Sequence, residues 1–264
     1  MSLKDRFDLV IFDWAGTMVD FGSAAPVLAL VDAFAREGVT ISVAQARRDM
    51  GKAKIDHVTA LLAYPEVAAL WRAVKGRAAN DGDVTRLMEH LGPLMREAAA
   101  KASTLIPGAR QAFDGLRAAG LRVASSTGYT REMMLPVLKA AAAQGYVPEM
   151  VVCSGETPTG RPTPLMIYKI CAELGVWPLP RVVKVDDAVA GVQEGRNAGA
   201  FTVGVASGNE LGLTLAQFEA LPVAQRAEHL QATRRILKDA GADLVLDSVA
   251  ELVPALEGLS GIGA

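Results

Sequence analysis

The sequence is poor in cysteine, in aromatic residues and in excess charge of either sign. Its 264 residues include two cysteines, three histidines and 5% aromatic residues, and its formal net charge is −2. So few scattered cysteines and histidines exclude a zinc cluster, and they are typical of a reduced, cytoplasmic protein. The balanced charge argues against a nucleic-acid partner, which would require a basic patch on the surface.

Long apolar runs and a leader pattern are missing as well. No apolar run reaches the ~18 residues that a membrane span requires, and residues 1–6 carry no signal-peptide pattern. We therefore expect no membrane partner and a cytoplasmic location. In contrast, 51% of the residues are hydrophobic, which suffices for a large core and excludes a disordered chain.

Short apolar runs of strand length recur along the chain. A run without polar alternation is typical of a strand that is buried on both faces, as in a parallel sheet. Helix-length segments such as 110–119, 130–144 and 188–198 separate most of the runs. The alternation predicts an α/β fold with a Rossmann-like parallel sheet. Its strands are expected at 8–12, 121–125, 150–153, 182–185, 201–205 and 244–246.

Residues 23–103 interrupt this alternation. They contain no convincing strand, and apolar residues at helical spacing, for example at 27–34, predict an all-helical insert. We therefore divide the chain into a sheet core, residues 1–22 and 104–264, and an inserted helical domain, residues 23–103. The apolar face at 27–34 is either the core of this insert or a surface for a second copy of the chain.

Polar residues follow three of the predicted strands. Asp13 follows the first strand, Thr127 and Gly128 follow the second, and Asp186 and Asp187 follow the fourth. Ligands bind at the carboxyl ends of the strands in open α/β sheets. A carboxylate can attack phosphorus, an acid pair can hold Mg²⁺ beside a phosphate, and a hydroxyl with a glycine amide can bind phosphate oxygens. Each of these residues could instead belong to an ordinary turn.

Arg161 adds a basic residue to this series. A guanidinium can neutralise a phosphoryl group, although an isolated arginine is more often a surface residue. The order of an aspartate, a Ser/Thr segment, a basic residue and an acid pair resembles the haloacid dehalogenase superfamily of phosphotransferases. The resemblance covers the whole chain, and it implies that the helical insert is a cap domain.

One position departs from the phosphatases of that superfamily. They carry Asp-x-Asp, in which the second aspartate protonates the leaving oxygen, whereas this chain has Ala15 two residues after Asp13. Such general acid catalysis contributes ~10²–10⁴-fold to the rate. The missing carboxylate indicates either an inactive protein or a leaving group that is not an oxygen.

The predicted insert offers a second reactive residue. Residues 50–57 are predicted to open a helix on which Met50, Lys54 and His57 share one face. A lysine on an apolar face can lose its proton by desolvation and form a Schiff base with an aldehyde. The alternative is an ordinary solvated lysine, because few lysines are fully buried.

Four motifs together resemble the phosphonoacetaldehyde hydrolases (phosphonatases), a family that cleaves a carbon–phosphorus bond. They lie at residues 12–17, 50–57, 126–134 and 160–162. The resemblance implies hydrolysis of phosphonoacetaldehyde, a small-molecule phosphonate, to acetaldehyde and phosphate during the degradation of 2-aminoethylphosphonate.

The same resemblance implies a role for each candidate residue. Asp13 is the nucleophile that forms an aspartyl phosphate, Lys54 forms the Schiff base, and Met50 and His57 are further catalytic residues. Mg²⁺ is the implied cofactor, and a homodimer through the cap is the implied assembly. The expected contacts are Asp13, the Ala15 carbonyl, Asp187 and, as a further candidate, Asp186 for the metal; Thr127, Gly128 and Arg161 for the phosphoryl group; and Tyr129 and Ser23 for the substrate pocket.

The metal loop departs from the family pattern, and other functions stay open. Many relatives read Gly-Asp-x-x-x-Asp, whereas here Asp186 replaces the glycine and Gly191 replaces the second aspartate. The chain could also be a Mg²⁺-dependent phosphomonoesterase or phosphomutase of the same superfamily, a 2-haloacid dehalogenase or a silent binding module. Ala15 and Lys54 argue against the first of these, and Lys54 and the acid pair argue against the dehalogenase.

Overall fold

A six-stranded sheet forms the centre of the structure, a computed structural model that describes residues 2–260. The strands are β1 (Leu9–Phe12), β2 (Arg122–Thr130), β3 (Val151–Ser154), β4 (Val182–Asp186), β5 (Phe201–Val205) and β6 (Leu244–Leu246). Their order is β3-β2-β1-β4-β5-β6, and all neighbours pair in parallel. The predicted Rossmann-like α/β fold is confirmed. The predicted core also includes residues 1 and 261–264, which lie outside the described residues.

The central strand explains why its sequence is an unbroken apolar run. Val10 and Phe12 belong to one buried apolar cluster, whereas Leu9 and Ile11 belong to another. A strand with a packed layer on each side has no solvent-facing residues, so every position is apolar. The winding of the sheet reverses at β1, and such a reversal places a ligand site at the carboxyl ends of the strands.

Helices cover both faces of the sheet and form the insert. The predicted helices at 110–119, 130–144 and 188–198 are present, and none of their ends is shifted by more than one residue. The α-helices are α1 (Leu3–Arg6), α2 (Ala24–Arg36), α3 (Val43–Arg47), α4 (Lys54–Ala63), α5 (Pro65–Lys75), α6 (Asp81–Lys101), α7 (Ala109–Ala118), α8 (Arg131–Ala143), α9 (Leu165–Leu174), α10 (Val189–Ala198), α11 (Leu215–Ala220), α12 (Val223–Asp239) and α13 (Leu252–Ser260). Within residues 2–260, none of them combines the length and apolar character that a membrane crossing needs.

Helices α2–α6 replace the strand–helix alternation between β1 and β2. We call residues 24–101 the cap, and the sheet with its flanking helices the core. The face at 27–34 is buried inside the cap, where α2 packs along α6 and the Phe34 ring meets Trp71 edge-on at 6.2 Å. This apolar stripe is therefore the core of the cap itself and is not free for a second copy of the chain.

The prediction that a helix opens at Met50 is wrong. Helix α4 begins at Lys54, and the preceding residues form a turn. Asp49 and Gly51 adopt positive φ angles of 60° and 89°, which a right-handed helix does not accept. Met50 nevertheless reaches Lys54 from this turn, because its sulfur lies 3.4 Å from the lysine Nζ.

Candidate active site

A small cavity lies between the cap and the carboxyl ends of the central strands. Its volume is about 20 Å³, whereas a single water needs ~10–15 Å³ by the same measure, so the cap covers the site closely. His57 and Asp186 do not line it. The predicted residues that do are Asp13, Ala15, Ser23, Met50, Lys54, Thr127, Gly128, Tyr129, Arg161 and Asp187.

Cap and core meet at this cavity through their backbones. A Cβ atom on Gly128 would lie 2.8 Å from the carbonyl oxygen of Lys52 and 3.0 Å from that of Gly51. A side chain there would push the cap away from the core. Glycine at position 128 therefore allows the two backbones to lie this close together. The small cavity suits a small substrate, and the cap must move for any substrate to enter.

Asp13 stands directly after β1 and is paired with Arg161. The Nη1 atom of Arg161 donates to Oδ1 of Asp13 at 2.7 Å, and both side chains are buried. Burial raises the pKa of Asp13 to about 6, although the positive charge of Arg161 opposes the shift. A buried carboxylate held by one guanidinium keeps its other oxygen free to act as a nucleophile or as a metal ligand.

Further buried groups hold Arg161 in place. Its Nε atom donates to Glu194 at 2.9 Å, and its Nη2 atom donates to the Ser126 carbonyl at 2.8 Å. Lys184, which is fully buried in β4, lies 3.4 Å from the same Glu194 oxygen and 2.9 Å from Asp186. All three nitrogen atoms of the guanidinium are therefore held by hydrogen bonds, and one of them contacts Asp13.

Asp186 belongs to this ion-pair network. Its Oδ2 atom lies 2.9 Å from Lys184 and 3.4 Å from Arg161, and its Oδ1 atom accepts from the Ala188 amide at 3.1 Å. Burial alone would raise the pKa of Asp186, but the charges of Arg161 and Lys184 lower it below its ordinary value. A Cβ atom on Gly191 would lie 2.0 Å from the Asp186 carboxyl carbon. The carboxylate of Asp186 thus occupies the space that a side chain at residue 191 would need. These are the two positions that depart from the family pattern.

Asp187 faces the cavity from the other side. Its Oδ1 atom accepts from the Thr17 hydroxyl at 2.7 Å, and its Oδ2 atom accepts from the backbone N–H of Asn209 at 2.6 Å. Burial, with the charges of Asp13 and Asp186, raises its pKa well above the ordinary value. No lysine or arginine among the described residues forms an ion pair with this carboxylate, so its charge needs compensation from elsewhere.

The three carboxylates are suited to a divalent cation. One oxygen of each of Asp13, Asp186 and Asp187 lies within 4.8 Å of the others. The raised pKa values of Asp13 and Asp187 show that their negative charges are only partly compensated by the protein. Oxygen ligands from one or two carboxylates are what Mg²⁺ prefers. The residues therefore fit Mg²⁺, and Asp187 is the better candidate beside Asp13, because Asp186 is already paired with two cations.

Lys54 projects from the first turn of α4 into the cavity. It is 3% exposed, and the groups nearest its Nζ atom include the Met50 sulfur at 3.4 Å and the Tyr129 ring, whose centroid lies at 5.7 Å. Burial lowers the pKa of Lys54 to about 8, while the charge of Asp13 acts in the opposite direction. The amine is still mostly protonated at pH 7, but far more of it is neutral than for a lysine at its ordinary pKa, and the neutral form can act as a nucleophile.

His57 lies one turn further along α4 and is fully buried. Burial, followed by the positive charge of Lys54, lowers its pKa to about 3. Neither ring nitrogen meets hydrogen-bond geometry with a partner among the described residues. The ring is therefore a neutral imidazole with unsatisfied nitrogens, behind the lysine and not in the cavity lining.

Several functional residues were not assigned a role from the sequence. Thr17 and Ser126 lie within the quoted motifs, but their contacts with Asp187 and Arg161 depend on the fold. Lys184 carried the clearest signal, because a lysine inside an apolar strand needs buried acidic partners. No local pattern assigned a role to Glu194 or Asn209, because their partners are distant in sequence.

Comparisons with known proteins agree with the motifs. A model of the haloacid dehalogenase-like hydrolases matches residues 7–199. The phosphonoacetaldehyde hydrolase of Paraburkholderia phytofirmans is 45% identical over 248 residues, which cover 94% of this chain and 93% of the relative. That of Bacillus cereus is 39% identical over 253 residues, 96% of each chain. A solved structure of a phosphonoacetaldehyde hydrolase-like protein from Oleispira antarctica is 40% identical, with a TM-score of 0.95 over 97% of this chain and 93% of that one.

Proposed function

We infer the function from the premise that the chain belongs to the haloacid dehalogenase-like hydrolases and, within them, to the phosphonoacetaldehyde hydrolase family. We propose that it hydrolyses phosphonoacetaldehyde to acetaldehyde and phosphate, as a step in 2-aminoethylphosphonate degradation. One observation supports this most directly: a buried amine, Lys54, and a buried carboxylate, Asp13, face the same small cavity. An aldehyde and a phosphoryl group on adjacent carbons would meet both.

The first step uses the cap residue. The neutral amine of Lys54 attacks the aldehyde carbon to give a carbinolamine, and uptake of one proton with loss of water then gives the protonated imine. The proposal assigns Met50 and Tyr129 to the surroundings of this imine, where they keep it out of water. His57, a neutral imidazole close to the lysine, is the proposed shuttle that passes the proton of the attacking amine to the oxygen that leaves as water.

The second step uses the core residue. Asp13 attacks phosphorus, the carbon–phosphorus bond breaks, and its electron pair moves into the imine to give an enamine. Water then hydrolyses the aspartyl phosphate, and protonation and hydrolysis of the enamine release acetaldehyde and free Lys54. The iminium accepts the charge that an alkoxide leaving group would carry, so Ala15 needs no carboxylate.

Positive charge and hydrogen-bond donors hold the phosphoryl oxygens in this proposal. Thr127, Gly128 and the Arg161 guanidinium bind them on the core side. Mg²⁺ bound by Asp13, the Ala15 carbonyl and Asp187 would supply further positive charge there. The Ser23 hydroxyl donates to the Ala15 carbonyl at 2.8 Å, which orients that oxygen at the edge of the cavity.

Reductive trapping tests the proposal. Borohydride added with phosphonoacetaldehyde should leave an adduct on Lys54, to be located by peptide mapping. Lys54→Arg should abolish both the adduct and acetaldehyde release, whereas Lys52→Arg should leave both intact, because Lys52 pairs with Asp49 outside the cavity. An adduct on another lysine, or normal turnover by Lys54→Arg, would refute the mechanism. Faster turnover of simple phosphate esters would favour the phosphomonoesterase or phosphomutase alternative.

A homodimer and a cytoplasmic location complete the proposal. The face at 27–34 is buried within the cap, so a dimer through the cap would have to use another surface. Sedimentation equilibrium across a concentration series tests the assembly, and a single monomeric species would refute it. Fractionation of cells that express the natural gene tests the location.

A further inference from the structure

Arg47, the last residue of α3 in the cap, makes contacts that the proposed chemistry does not use. Its Nη1 atom donates to the Gly22 carbonyl at 2.8 Å and to the Asn209 carbonyl at 3.2 Å, and it lies 3.4 Å from the Asn209 side-chain oxygen. Gly22 belongs to the short helical turn that leads from the core into the cap. One guanidinium thus joins a cap helix, the connection between cap and core, and a core loop.

Both segments that Arg47 holds lead to proposed metal ligands. On one side, the backbone N–H of Asn209 donates to Asp187 at 2.6 Å. On the other side, Ser23 follows Gly22, and its hydroxyl donates to the Ala15 carbonyl at 2.8 Å. Displacement of Arg47 would therefore release a constraint on each of the two groups that stand beside Asp13.

The contacts of Arg47 differ from those of a surface salt bridge. All three acceptors are uncharged oxygens, and the negative charges of Asp20, Glu210 and Asp187 act on the guanidinium without a hydrogen bond to it. A planar guanidinium with several fixed donors can bridge two carbonyl groups at once, which an ammonium does less well.

We propose that Arg47 is a positioning residue that couples the seating of the cap to the placement of Asp187 and the Ala15 carbonyl. Arg47 moves with the cap, whereas Asn209 belongs to the core. Opening of the cap therefore changes the contacts of Arg47 with Gly22 and Asn209, and it holds Asp187 and the Ala15 carbonyl less firmly in place. The inference rests on the proposed function only for the role of Asp187 as a ligand. It makes metal binding and cap seating parts of one equilibrium.

Hydrogen exchange of the full-length, ligand-free protein tests these contacts of Arg47. Arg47→Met keeps the aliphatic stem but removes the donors, and it should raise amide exchange in residues 20–24 and 207–212 about tenfold, the scale of a lost hydrogen bond to a charged group. Arg48→Met is the matched control, because Arg48 pairs with Glu66 inside the cap, and it should leave both segments unchanged. Equal exchange in Arg47→Met and wild type at either segment would overturn the proposal.

Metal titration tests the consequence without depending on turnover. Mn²⁺ binding, followed by electron paramagnetic resonance, should weaken about tenfold in Arg47→Met and recover in part in Arg47→Lys, which keeps the charge and one donor direction. Unchanged Mn²⁺ affinity in a folded Arg47→Met protein would overturn the coupling. If wild type bound Mn²⁺ but failed to hydrolyse phosphonoacetaldehyde, the proposed function would fail while both measurements on Arg47 still applied.

Discussion

The two halves of the active site treat charge in opposite ways. On the core side, Arg161 contacts Asp13, Asp186 and Glu194, so these three buried carboxylates share a partner of opposite sign, whereas Asp187 forms no ion pair with a described lysine or arginine. On the cap side, Lys54 has a sulfur atom and an aromatic ring as neighbours, and His57 has no hydrogen-bond partner among residues 2–260. The core pairs most of its buried charges, whereas in the cap burial lowers the pKa values of Lys54 and His57 and so favours their neutral forms.

This difference matches what the proposed reaction requires of each half. A phosphoryl group is an anion and needs fixed positive charge, which paired groups supply without reorganisation. Attack on an aldehyde needs an amine without its proton, and burial supplies that state for Lys54. A cavity built in only one of the two ways could not provide both reagents.

The sharpest way to separate the halves is to inactivate the core nucleophile alone. Asp13→Asn should reduce phosphate release by about 10⁴- to 10⁶-fold, the scale of losing a covalent nucleophile. Borohydride trapping on Lys54 should persist, because burial keeps the pKa of this amine low whether or not residue 13 carries a charge. Asp56→Asn, an exposed change on the same helix as Lys54, is the control for the trapping assay. Loss of both phosphate release and trapping would show that the halves are not separable.

Removal of one member of the core network should destabilise the fold. Glu194→Gln takes away a buried charge that contacts Arg161 and Lys184, and the free energy of unfolding should fall by about 3 kcal/mol. Urea denaturation measures this, with Glu173→Gln on an exposed part of α9 as the control. A change no larger than that of the control would mean that the pairing contributes little.

The steric overlap between Asp186 and any side chain at residue 191 predicts a smaller and reversible effect on stability. Gly191→Asp should lower the free energy of unfolding by about 1–3 kcal/mol, because it overpacks a filled site. Adding Asp186→Gly should recover at least half of the loss, since the carboxylate then occupies the same space from the other position. Gly92→Asp, at a helical glycine with no atom near its Cβ position, controls for the change in helix propensity. Additive losses in the double variant would contradict the exchange.

The cap half predicts a pH dependence with a defined direction. The pKa of Lys54 is lowered to about 8, so adduct formation should rise as the pH increases through that value and then level off. At pH 7 about one Lys54 in ten is neutral, far more than for a lysine at its ordinary pKa. Cyanoborohydride trapping across a pH series measures the profile. A rate that keeps rising well above that pH would show that burial does not activate this amine.

Five of the six strands could be predicted closely from the sequence, because each is a short apolar run between helical segments. The second strand was predicted to end at residue 125, but β2 continues to Thr130 through the polar residues that were expected to follow it. The site residues that close a strand, such as Asp13 and Asp187, follow from the same pattern. The start of α4 was placed too early, because the spacing of Met50, Lys54 and His57 satisfies a helical period whether or not the chain turns at Gly51. The spacing carries no information on φ angles.

The remaining contacts could not be predicted, because their partners are far apart along the chain. Arg161 meets Glu194 across 33 residues, and Arg47 meets Asn209 across 162. Which arginine reaches which oxygen depends on the arrangement of the whole sheet and cap. Local patterns therefore indicate the type of group that is needed, but they do not indicate its partner.

The buried lysine in β4 also bears on how the chain assembles. Lys184 is compensated only when β2, α10 and the end of its own strand are all in place, since Ser126, Glu194 and Asp186 come from these three elements. A partly folded chain that buried β4 without them would carry an unpaired charge in an apolar layer, which is strongly unfavourable. The lysine therefore penalises any arrangement of the sheet that leaves one of these elements out of place.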